Sequence, residues 1–210
     1  GGAFFAMGTK ILFAGGASCA KNHAMKGGGG CIMWEPLAED ANSSLWSLRA
    51  PLHAQNFFSN NSAAFGHDKA TPPVSLRPII DEYAKTYAKP EGSFLEPAPR
   101  VEIIDFYGRI VLGAFARNVN IEAKQLDETS STIYGGTSVG NSLSGIVQFE
   151  SLGLLGLPRS GPHELSFSAS IQVGHVSFSR KQRTIDSTMV EKKFEVWVDD
   201  CSEDRYYDGD

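Results

Sequence analysis

Several short groupings of residues could do chemistry, and each demands something different of the fold. Gly136-Thr137-Ser138-Val139-Gly140 follows the run Thr132-Ile133-Tyr134 and has the Gly-x-Ser-x-Gly spacing of a nucleophile elbow, with Ser138 as the nucleophile. An elbow works because a strand turns sharply into a helix and lifts the serine hydroxyl clear of the backbone. Asn141-Ser142-Leu143-Ser144-Gly145 is a poor helix opening, so the match reads as a chance spacing within a loop rich in Gly, Ser and Thr. Cys19 precedes His23 as in a thiolate–imidazole pair, but nothing nearby supplies the positive, partly exposed pocket that a reactive thiolate needs. His163 and His175 flank one expected strand, and extended chain would hold them roughly 35–40 Å apart, too far to share a metal ion. Glu102 and Glu122 are the carboxylates best placed to face a cleft, where paired acids would cleave a glycosidic bond. Both read more simply as the wet side of a sheet. Neither Gly15-Gly16-Ala17-Ser18-Cys19-Ala20-Lys21 nor Gly27-Gly28-Gly29-Gly30 has the spacing of a phosphate-cradling loop. No catalytic residue, cofactor or metal site is expected from these groupings.

The elements that would have to position such residues are strands. His163 to Val173 alternates without a break: Leu165, Phe167, Ala169, Ile171 and Val173 fall on one side of a pleat, and Glu164, Ser166, Ser168, Ser170 and Gln172 on the other. Phe194, Val196 and Val198 repeat the pattern, as do Val119, Ile121 and Ala123, and Val101 to Phe106 is a further β run. No helix of crossover length separates them, which predicts antiparallel sheets rather than βαβ units. The front of the chain differs. Ile79, Tyr83 and Tyr87 fall at helical spacing, predicting one short helix over about 75–88, stopped by Pro90. The tetraglycine reads as a hinge, and Glu91 to Arg100, with Pro97 and Pro99, as a stiff connector.

Composition narrows the classes. With 19 basic and 24 acidic residues in 210, the net charge of −5 gives no electrostatic pull toward nucleic acid, and direct nucleic-acid binding is not expected. The basic cluster Arg180-Lys181-Gln182-Arg183 reads as a solvated hairpin turn, with contact to an acidic partner as its functional use. No apolar run approaches the roughly 20 residues that span a bilayer. Cys19, Cys31 and Cys201 cannot all pair. A Cys19–Cys31 bridge is one option, but free thiols in a reducing compartment are the expectation. Asn42-Ser43-Ser44 and Asn60-Asn61-Ser62 are glycosylation acceptors only in a secreted chain. Gly1-Gly2 fits a processed product, and Asp199 to Asp210, with six acids, reads as a solvated tail.

Together these features predict a mainly β chain with an antiparallel β-sandwich, jelly-roll or Ig/C2-like, in its carboxy-terminal half. Residues 1–96 are expected as an irregular extended arm, 97–200 as the sandwich and 201–210 as an acidic tail. The expected function is a non-catalytic structural or assembly module, a coat-like subunit whose partners are other protein subunits. Trp34, Trp46, Phe57, Phe58, Tyr134, Arg180, Lys181 and Arg183 are its candidate contacts. The competing classes are a hydrolase with its site in the 129–162 loops and a lectin-like or lipid-contacting module.

Overall fold

Alternating apolar and polar side chains write the strands of this protein. Its structure, a computed structural model, describes residues 4–7, 18–35, 57–79, 86–88, 93–117, 119–126, 131–139, 142–170 and 192–198. The front of the chain carries β1 (Phe4–Met7), β2 (Ser18–Ala20), β3 (His23–Gly28), β4 (Ile32–Glu35), β5 (Phe57–Ser59), β6 (Ser62–Phe65) and β7 (Lys69–Ala70). Next come β8 (Ser75–Ile79), β9 (Thr86–Ala88), β10 (Arg100–Ile104) and a single-turn helix, α1 (Ala114–Arg117). The remainder is β11 (Asn120–Gln125), β12 (Ser131–Gly135), β13 (Ser138–Val139), β14 (Ile146–Gln148), β15 (Leu152–Gly156), β16 (His163–Ser170) and β17 (Lys192–Val198). The chain is mainly β, in several sheets.

The largest sheet has the order β13-β11-β16-β17-β9. Its register sets Ile121 beside Ala169, Ala123 beside Phe167 and Leu165 beside Phe194, so the apolar sides of β11, β16 and β17 coincide. A second antiparallel sheet, β14-β10-β8, contributes Val147, Val101, Ile103 and Leu76. All of these side chains belong to one buried core, which Met33, Phe65 and Ala70 from the front of the chain also enter. Phe149, Phe167 and Phe194 stack through it with ring centroids 5.0 and 6.0 Å apart.

Four expectations are corrected. The helix over 75–88 is replaced at both ends by strand: β8 pairs with β10, β9 pairs in parallel with β17, and residues 80–85 lie outside the described residues. Leu76 is buried and Arg77 exposed, a period of two, and Pro78, which cannot donate inside a helix, is accommodated in a strand whose one sheet partner among the described residues is β10. Ser166 and Ser168 are buried rather than exposed. β16 is a central strand, and opposite these small side chains stand Lys124 and Glu122, which reach toward each other at 3.8 Å. The tetraglycine serves close packing rather than a hinge. A Cβ on Gly28 would overlap Phe65 and Ala70, one on Gly30 would overlap the backbone at Ser62 and His67, and Gly29 has φ +68°.

The fourth correction concerns the thiols. Cys19 and Cys31 form a disulfide, with Cα atoms 6.2 Å apart. The leaning toward a reducing compartment goes with it, since disulfides persist in oxidising ones. The bridge borders a second, smaller apolar cluster of Cys19, Cys31, Ile32 and Trp34, against which Phe58, Val74, Phe106 and Tyr107 pack.

Candidate functional site

The densest polar constellation grows from the turn after β10. Asp105 opens it and Gly108, with φ +74°, closes it, a placement that type I turns favour. The Asp105 carboxylate is buried and fully engaged. Its Oδ1 accepts the backbone N–H groups of Tyr107 and Arg109, each at 2.9 Å, and its Oδ2 accepts Arg109 Nε at 3.2 Å and Nη2 at 2.9 Å. Arg109 Nη2 also donates to the Lys69 carbonyl, which ties the turn to β7. The Arg109 guanidinium and the Lys69 ammonium both lie over the Tyr107 ring, 4.7 and 4.4 Å from its centre. On the cluster side, Trp34 Nε1 donates to Tyr107 Oη at 2.9 Å. Burial pushes the Tyr107 phenol up to about 12 against the opposing pull of the Trp34 bond. Burial, and then the neighbouring Arg109 charge, brings the Lys69 amine down to about 8.

A second constellation surrounds His163, the first residue of β16. The ring is buried, with Nδ1 3.0 Å from Ser131 Oγ of β12 and Nε2 2.8 Å from Ser160 Oγ of the preceding turn. Donor bookkeeping orients the whole chain. Ser160 gives its only hydroxyl hydrogen to the Leu157 carbonyl, so it accepts from Nε2–H. Nδ1 then accepts from Ser131, whose oxygen accepts in turn from Gln125 Nε2. A neutral imidazole satisfies every partner. Ser131 is itself buried, so the arrangement ties β12, β16 and the 157–160 turn together and presents no nucleophile to a substrate.

The third feature is apolar. Tyr134 and Phe94 flank Gly153, one paired with it through β12 and β15, the other bridged to it from the opposite side. Their rings meet 6.4 Å apart beside the glycine, where a Cβ would run into the Tyr134 ring. Leu155 lies two residues along, on the same face, and Leu157 follows just beyond the end of β15. Phe94 is 50 %, Leu155 52 % and Leu157 67 % exposed, while Leu152 and Leu154 on the opposite face are fully buried in the core. The Tyr134 hydroxyl is buried without a hydrogen-bond partner among the described residues.

Of the residues singled out from sequence, Tyr134 lies in this apolar row. Trp34 is buried within its own chain, at 2 % exposure, which removes it as a partner contact. Phe58 packs partly against the second cluster, and Phe57 lies in β5 opposite Ser18. Trp46, His175, Arg180, Lys181, Arg183 and the acidic tail lie outside the described residues. Ser138 sits in a strand paired with Glu122 of β11, so no strand-to-helix elbow forms at it. Glu102 is engaged by Arg77 and Glu122 by Lys124, and the two acids do not face each other. Among the described residues no three potential ligands converge on a metal position, and no helix is long and apolar enough to cross a membrane.

Sequence reasoning missed Lys69, Asp105, Tyr107 and Arg109, although an Asp followed three residues later by Gly announced their turn. It also missed Leu155 and Leu157, although the run Leu152-Gly153-Leu154-Leu155-Gly156-Leu157 puts leucine on both faces of one strand. Neither a protein-family model nor a curated protein matches this chain.

Proposed function

We propose that this chain is a non-catalytic subunit of a larger protein assembly, its strands forming a two-layer β-sandwich body that meets neighbouring subunits through the outer face of β12 and β15. The row Phe94, Leu155 and Leu157 carries this reading. Three large apolar side chains, each at least half exposed, on β15 and the segments bordering it, leave hydrophobic surface that association would cover. The basic residues Arg180, Lys181 and Arg183 and the aromatic Trp46 extend the contact surface in this reading. Sedimentation equilibrium of the purified chain across micromolar concentrations tests it. A mass that rises with concentration is expected, and a monomer at every concentration overturns it.

A further inference from the structure

Charge around Tyr107 does not balance. Lys69 and Arg109 bring two positive charges to one aromatic ring, and Asp105 answers only one of them. The Asp105 carboxylate has no capacity left, since each oxygen already accepts two N–H groups. Arg109 spends Nε and Nη2 on Asp105 and on the Lys69 carbonyl, which leaves the two hydrogens of Nη1, and Lys69 keeps its three ammonium hydrogens, without acceptors among the described residues. Both side chains are partly exposed, so a ligand can reach them. One further negative charge makes the sum zero, whereas a phosphate dianion would overshoot it.

We propose that Lys69 and Arg109, carried on the ring of Tyr107, form a binding site for a single carboxylate group, from either a small organic acid or an acidic side chain of a protein partner. The planar guanidinium edge takes one oxygen and the ammonium the other. The site is separate from the apolar row and stands whether or not that row mediates assembly. Its affinity depends on the Lys69 charge. The amine sits near 8 in the free protein, so binding weakens as pH rises through that value. The Tyr107 phenol beneath it does not titrate in that range, because it loses its proton only near 12.

NMR titration of the lysine amines in the full chain, with acetate and with an end-blocked Glu-Asp-Glu peptide as separate probes, tests the proposal. A bound carboxylate beside the ammonium is expected to raise the Lys69 midpoint by roughly 1–3 pH units while other lysines stay put. Lys69→Met should abolish the probe-induced shift of the Arg109 side-chain signals, and Lys69→Arg should restore it. Peptide binding tighter than acetate at equal carboxylate concentration assigns the site to a protein partner, and equal binding assigns it to a small acid. A Lys69 midpoint unmoved by both probes, or one that moves together with every surface lysine, overturns the proposal.

Discussion

Reducing the Cys19–Cys31 bridge is a perturbation whose cost can be worked out from the chain itself. The bridge closes a loop with a sequence separation of 12. Closing a loop of that length removes roughly 9–10 cal/mol/K of entropy from the unfolded chain, about 3 kcal/mol at 25 °C in the chain-entropy account. Cys31 is fully buried and Cys19 nearly so, so reduction leaves two thiols in an unchanged pocket and opens no cavity. Most of the loss therefore falls on the unfolded state. Urea unfolding of oxidised and thiol-reduced protein, followed by tryptophan fluorescence with Trp34 buried beside the bridge, should show the reduced form about 3 kcal/mol less stable. With ordinary urea slopes this moves the midpoint down by roughly 1–3 M. Alkylation of the unreduced, denatured chain should modify Cys201 alone. Superimposable unfolding curves, or three alkylated cysteines before reduction, would refute the reasoning.

Two substitutions probe the polar constellations. Asp105→Asn replaces an acceptor of four N–H groups by one that must point donors at some of them, and should cost about 3 kcal/mol in urea unfolding. That is the lower end for a broken buried pair, because Arg109 is partly solvated; a loss under about 1 kcal/mol would mean that the turn does not depend on the carboxylate. His163→Ala strips the acceptor from buried Ser131 and the donor from Ser160, and should cost about 2–4 kcal/mol. His163→Gln, which can both donate and accept, should recover part of that stability, and an alanine variant as stable as the parent would contradict the tether.

The period-two strands were legible because each had one side to bury: Val101 and Ile103 in β10, Ile121 and Ala123 in β11, and Phe194, Val196 and Val198 in β17 are all in the core. Position within the sheet was not legible. Ser166 and Ser168 look solvated in one dimension, and only the structure shows them buried, with the longer side chains of Lys124 and Glu122 beside them on β11. Residues 75–88 misled because Ile79, Tyr83 and Tyr87 satisfy a helical spacing, while the partner that fixes Ser75–Ile79 as strand, β10, begins only at Arg100. Long-range pairing decides such segments over local periodicity. The Lys69–Tyr107–Arg109 cluster was hidden for the same reason: Lys69 and Arg109 are 40 residues apart and meet only because β7 and the turn after β10 share a bond to the Lys69 carbonyl. Glycine, too, has two meanings in one dimension. Four in a row suggest freedom, yet Gly28 and Gly30 are required by what presses against them.

The most direct test of the assembly reading is the sedimentation mass of the chain carrying Leu155→Lys and Leu157→Lys beside that of the parent. Both positions are more than half exposed, so the fold should be indifferent to the change. Removing that much apolar contact, roughly 2–3 kcal/mol, should weaken association on the order of a hundredfold. The parent is expected to associate at micromolar concentration and the variant to sediment as a monomer with an unchanged urea midpoint. Equal masses for the two proteins at every concentration would contradict the account.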